Sequence, residues 1–90
     1  MDELFVTVVG TDLIKSVEKI FDELGMHYDD FKKNSIGNMK TTVYSFMIDE
    51  DEIIAKRKRL MNRIMLEPLK YTAMYVHGDW MRLFIFKHID

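Results

Sequence analysis

The amino-acid sequence predicts a single small α+β domain over residues 1–90, a two-layer sandwich with two helices covering one face of a mostly antiparallel sheet. Three observations predict it. Residues 4–9 (LFVTVV) form an apolar, β-branched run that suits a buried central strand. Two segments, one after Asp12 and one after Asp49, repeat their apolar residues at helical spacing, each in one stripe. Residues 71–90 alternate in character around Gly78-Asp79, a two-residue turn signal for a terminal hairpin.

Each element follows from its local chemistry. After the first strand, Gly10-Thr11-Asp12 supplies a turn and a helix cap. Leu13, Ile14, Val17, Ile20, Phe21 and Leu24 then mark one face of a helix, with Lys15, Glu18, Lys19, Asp22 and Glu23 on the other. Gly25 is the expected stop. Residues 26–33 fit either a charged edge strand or an irregular loop, and residues 34–38 (NSIGN) read as a turn. Residues 39–48 (MKTTVYSFMI) are a strand by their β-branched and aromatic content. Asp49 with Glu52 resembles a capping box for the second helix, and Pro68 ends that helix near Met65 or Leu66. The final hairpin follows within a few residues.

Composition narrows the function classes. The chain has no Cys, so neither a disulfide nor a thiolate metal site is expected. A net charge of −2 disfavours a purely electrostatic nucleic-acid binder while allowing a local basic stripe. No apolar run is long enough to span a bilayer, and acidic Asp2 and Glu3 follow Met1 where a signal peptide carries basic residues. The expected location is the cytoplasm. Eight Met residues favour a surface that adapts to a partner.

The second helix carries the main charge cluster. Lys56, Arg59 and Arg63 lie together opposite an apolar stripe of Ile53, Ile54, Leu60, Met61, Ile64 and Met65. They are candidate anion or phosphate contacts, although charge runs are more often solvated faces. Arg57 falls inside the apolar stripe and must snorkel, meet a carboxylate or reach a pocket, and it is also a candidate anion or phosphate contact or partner contact. His27, His77 and His88 lack metal-ligand spacing, so no metal site is expected. His77 near Asp79 fits a hairpin turn better than a proton relay. The acidic residues 49–52 lack the ligand alternation of a calcium loop. Ser16, Ser35 and Ser45 have no nucleophile context and the four Gly are scattered. The expectation is a protein that binds rather than catalyses, without a cofactor.

A two-residue turn at Gly78-Asp79 sets His77 opposite Trp80, Tyr75 opposite Arg82 and Met74 opposite Leu83. Val76, Met81, Met74, Leu83 and Ile85 then share an aliphatic face. Tyr71, Tyr75, Trp80, Arg82, Phe84 and Phe86 share the other, an aromatic platform with a guanidinium in it. If the helices cover the aliphatic side, the platform is the candidate partner-binding face. A protein partner or a second copy of the chain in a homodimer fits it first, because Trp, Tyr and Arg dominate interface energetics. Single-stranded nucleic acid, stacking on the same rings, is the alternative.

Residues 4–30 (LFVTVVGTDLIKSVEKIFDELGMHYDD) also resemble the first half of an ACT domain. The likeness is a strand ending in Val8-Val9-Gly10, then Asp12, an amphipathic helix and Leu24-Gly25. It implies a ferredoxin-like βαββαβ fold, dimerisation and a regulatory small ligand near residues 10–13. The Pro-Gly usual in that family after the Asp is replaced by Leu13-Ile14, and the last strand is additional to the family plan.

Overall fold

The computed structural model describes residues 2–36, 39–77 and 81–87. The chain runs β1 (Asp2–Val9), a single 3-10 turn (Thr11–Leu13), α1 (Ile14–Glu23), β2 (Asp30–Ile36), β3 (Met39–Ile48), α2 (Ile53–Met65), β4 (Tyr71–His77) and β5 (Met81–Lys87). Its five strands form one mixed sheet in the order β2-β3-β1-β5-β4. β1 and β5 are parallel, and the other three neighbouring pairs are antiparallel.

β1 is the centre of the sheet, as its apolar run predicts. Its two faces differ, however. Leu4, Val6 and Val8 are fully buried, while Phe5, Thr7 and Val9 are only partly covered. The expected burial on both sides is therefore corrected to burial on one. Directly paired residues share a face, so Leu4, Val6 and Val8 continue into Phe46 and Tyr44 on β3 and Leu83 and Ile85 on β5. Val17, Ile20 and Phe21 of α1 and Ile53, Leu60 and Ile64 of α2 complete the same core. Each fully buried aliphatic side chain contributes about 1.5–3 kcal/mol, so this face holds the fold together.

Helix ends are set by backbone more than by side-chain caps. Gly25 takes the left-handed conformation at φ +66°, the N–H of Gly25 donates to the Asp22 carbonyl, and that of Met26 donates to Phe21. Those two bonds satisfy carbonyls that the helix end leaves open. The expected caps at the helix starts are not made. Neither helix has a side-chain cap hydrogen bond, and Asp12 instead faces Lys87 at 3.3 Å. Before α2 the Ile53 N–H donates to the Asp49 carbonyl, so a backbone turn replaces the capping box.

Two more expectations change. Residues 34–36, read as a turn, belong to β2 because Asn34, Ser35 and Ile36 find register partners in Thr41, Lys40 and Met39. Pairing along a strong neighbour overrides their local turn preference. Residues 37–38 of the same cluster lie outside the described residues, as do Gly78, Asp79, Trp80 and His88.

The hairpin register is the most consequential correction. His77 pairs with Met81, Tyr75 with Leu83, Met74 with Phe84 and Ala73 with Ile85. That is one residue away from the register a two-residue turn imposes. A slip of one moves every side chain of a strand to the other face. Tyr71, Ala73 and Tyr75 therefore sit on the helix side, and Thr72 and Met74 on the open side.

Candidate interaction face

The sheet face without a helix is built from alternate positions of the three strands β1, β5 and β4, with β3 alongside. Phe5 pairs with Arg82, Thr7 with Phe84 and Val9 with Phe86, while Met74 and Thr72 extend these rows onto β4. The rings are organised. Phe84 and Phe86 stack with centroids 6.2 Å apart, and the Arg82 guanidinium lies 5.7 Å from the Phe5 centroid. On β3, Val43, Ser45 and Met47 fall in the same rows, and the Ser45 hydroxyl donates to the Glu3 carboxylate. A groove of about 300 Å³ runs beside Phe5, Val43, Ser45 and Met47 toward Asp30 and Lys32. Met47 and Met74 are largely exposed at opposite sides of the face. Among the described residues, none of the buried ones comes from this side of the sheet apart from Thr41. Among the described residues no helix packs on it.

Three of the six expected platform residues, Arg82, Phe84 and Phe86, therefore lie together on the open face. Tyr71 and Tyr75 do not. Tyr71 is 4% exposed and belongs to the core. Tyr75 is half-buried, packs against the core and carries the Arg57 guanidinium 4.0 Å above its ring centroid. That contact accounts for a charge inside an apolar stripe, since a ring face attracts a cation without a carboxylate. Trp80 lies outside the described residues. Phe5 and Met74 were not anticipated on this face. Parity along β1 could have found Phe5, because every second residue of a strand shares a side.

The expected cationic stripe has the wrong placement for that face. Arg63 donates from Nε to Glu23 on α1 and from Nη1 to Glu67, both at 2.9 Å. Its bond with Arg63 holds the Glu67 carboxyl below the usual carboxylate range. Lys56 reaches Glu52 at 3.5 Å, and Arg59 is exposed on the same helix. Together with Arg57 these groups lie in the helix layer, across the sheet from Arg82. The structure does not bring the two sets together.

A second aromatic group lies under α1. Phe21 meets Tyr44 and Phe46 edge-on at 5.1 and 5.0 Å, and Tyr28 sits 4.9 Å from Tyr44. The Tyr44 hydroxyl donates to Glu18 at 3.1 Å. Burial, with the Glu18 charge next, pushes its pKa well up from the usual phenol value. This cluster is packing, with a helix over it.

Near the 3-10 turn a wider groove of about 630 Å³ lies between Asp12, Leu13, Lys87 and residues 66–70. A backbone hydrogen bond at Asp12, followed by Lys87, holds the Asp12 carboxyl below its ordinary range. No group of three or more acidic or His side chains among the described residues is placed to hold a metal ion. No helix among them is long and apolar enough to cross a membrane. The chain matches no family model, no curated protein and no solved structure.

Proposed function

We propose that this protein is a non-enzymatic binding module that docks a protein partner on its open sheet face. The observation that carries the reading is the patch of Phe5 and Arg82 in one cross-strand row and Phe84 and Met74 in the next, with Phe86 stacked on Phe84, on a sheet face that no described helix covers. Large apolar and aromatic side chains left outside the core mark interaction sites, and an arginine among rings is a common energetic anchor. The same reading takes the fold as ferredoxin-like, with β5 inserted between β1 and β4, and the module as a cytoplasmic regulator.

The test is capture of a partner by immobilised wild-type protein, compared with a Phe84→Ser/Phe86→Ser variant and an Arg59→Ser control. The reading expects a protein retained by wild type and control and lost by the face variant, with unchanged circular dichroism. Equal retention by all three refutes it. Nucleic acid is the weaker occupant, because the α2 cations lie across the sheet from Arg82 and two of them, Lys56 and Arg63, are ion-paired within the chain.

A second reading rests on the groove beside Asp12 and Leu13. It lies where the ACT likeness implies a small ligand, and a metabolite bound there would raise the melting temperature. A metabolite screen that leaves the melting temperature unchanged counts against it.

A further inference from the structure

The open face is asymmetric about its central strand, and its two halves complement each other. On one side of β1, Phe84 and Phe86 of β5 form a stacked ridge, flanked by Met74 of β4. On the other side β3 presents the smaller Thr41, Val43 and Ser45, and the surface dips into the groove of about 300 Å³. The charges divide in the same way. Glu3, Asp29 and Asp30 line the groove, with Lys32 the one cation among its described lining residues. Asp29 and Asp30 each accept a backbone N–H, from Met47 and Phe31, and Glu3 accepts the Ser45 hydroxyl, so all three carboxylates are held in place. Among the described residues the opposite half holds one charge, Arg82, which is exposed and meets no carboxylate there. Arg82 shares the cross-strand row of Phe5, Ser45 and Asp30, and its guanidinium lies over Phe5, on the way to the groove.

We infer that the protein docked on the open face is a second copy of this chain, packed face to face about a two-fold axis that runs along β1. This rests on the open-face reading and names its partner. Such an axis exchanges the two sides of β1 and keeps each row. Phe84 then comes to Val43 and Phe86 to Thr41 of the other copy, ridge into trough, while Phe5, Thr7 and Val9 meet their own counterparts. Arg82 comes to Ser45, between Glu3 and Asp30 of the other copy, where charge-assisted bonds form. Packed sheets lie about 10 Å apart, a gap that an arginine side chain bridges. Lys32 comes to Met74, so no like charges are opposed. Each copy presents the complement of its own surface, as an isologous interface requires. Aligned sheets cross by about 30°, which leaves the rows near the centre of the face matched. A two-fold axis across the strands would instead set ridge on ridge and turn Arg82 away from the acidic groove. Five strands, three of them seven residues long, give a face of roughly 550 Å². Two such faces bury about 1,100 Å², above the ~1,000 Å² that a specific interface needs.

Sedimentation velocity with a charge exchange tests it. Wild-type protein should sediment at twice 10.8 kDa. Arg82→Glu sets a carboxylate against Glu3 and Asp30, and Asp30→Arg sets a guanidinium against Arg82. Each variant alone should lose dimer affinity at least ~10-fold, or about 1.4 kcal/mol. Mixed in equal amounts, the two should form a dimer again, because the new carboxylate of one faces the new guanidinium of the other and the native pair stays intact. Both positions are exposed, so circular dichroism should be unchanged. If Asp30→Arg does not fold, Thr7→Arg, which brings two cations together at the axis, should weaken the dimer in its stead. A wild-type chain that stays monomeric at millimolar concentration overturns the inference, as does a dimer that all three variants leave intact. Two monomeric variants whose mixture stays monomeric overturn it as well. The open-face reading fails separately, when neither a dimer nor a captured protein is lost in the Phe84→Ser/Phe86→Ser variant.

Discussion

Exchanging Met74 and Tyr75 separately for Thr tests the strand register directly, because the two registers predict opposite outcomes. With a two-residue turn, Met74 is core and Tyr75 is open. In the observed register, Tyr75 packs beneath Arg57 and Met74 is 50% exposed. Truncating Tyr75 gives up roughly 100 Å² of apolar burial, or ~2.5 kcal/mol. Loss of the Arg57 contact adds about 0.5–1 kcal/mol. Met74→Thr loses less than ~1 kcal/mol, much of it offset by the strand preference of Thr. At roughly 4–8 °C per kcal/mol for a domain of this size, Tyr75→Thr should lower the melting temperature by more than ~10 °C. Met74→Thr should stay within about 4 °C of wild type on the same scale. Thermal melts followed by far-ultraviolet circular dichroism, with urea midpoints alongside, supply both numbers. A larger loss for Met74→Thr than for Tyr75→Thr would refute the register and the face assignment built on it.

Other outcomes follow from single contacts. Gly25→Ala places a side chain at φ +66°, which costs about 1–2 kcal/mol even though nothing lies within 4 Å of the added carbon, and a urea midpoint equal to wild type would contradict this. The Tyr71 hydroxyl is buried without a hydrogen-bond partner among the described residues, so Tyr71→Phe should leave stability unchanged or raise it by up to ~1 kcal/mol; clear destabilisation would reveal a partner. Tyr44 has a raised folded-state pKa, so its contribution is fully present below the unfolded value of about 10 and is lost as pH climbs from there through the folded value. Wild type should therefore lose more stability than Tyr44→Phe between neutral pH and pH values above ~10, and parallel loss in both would count against the assignment.

Most elements were legible in the sequence because their signals are local. β3 occupies residues 39–48 as its composition predicts, and α1 stops at Gly25 for the expected backbone reason. Non-local choices were not legible. Asn34 to Ile36 read as a turn until β3 is available as a neighbour, and the capping roles of Asp12 and Asp49 are displaced by an ion pair and a backbone turn. The site was half legible for one reason, parity. Phe84, Phe86 and Arg82 alternate correctly within β5, but their relation to β4 depends on the residue count between the strands. A count different by one sends Tyr71 and Tyr75 beneath the helices and brings Met74 out. Arg57 was recognisable as misplaced in an apolar stripe, yet its partner ring lies on a strand whose face was assigned the other way.

The open sheet face is where we propose that this protein meets its partner. A photo-crosslinking residue, Phe84→p-benzoylphenylalanine, tests it whatever that partner is, with the same residue at Arg59 as the helix-side control. A discrete protein adduct is expected from position 84 in cell extract and none from position 59. Adducts from position 59 alone, with position 84 inert in a folded protein, would contradict it.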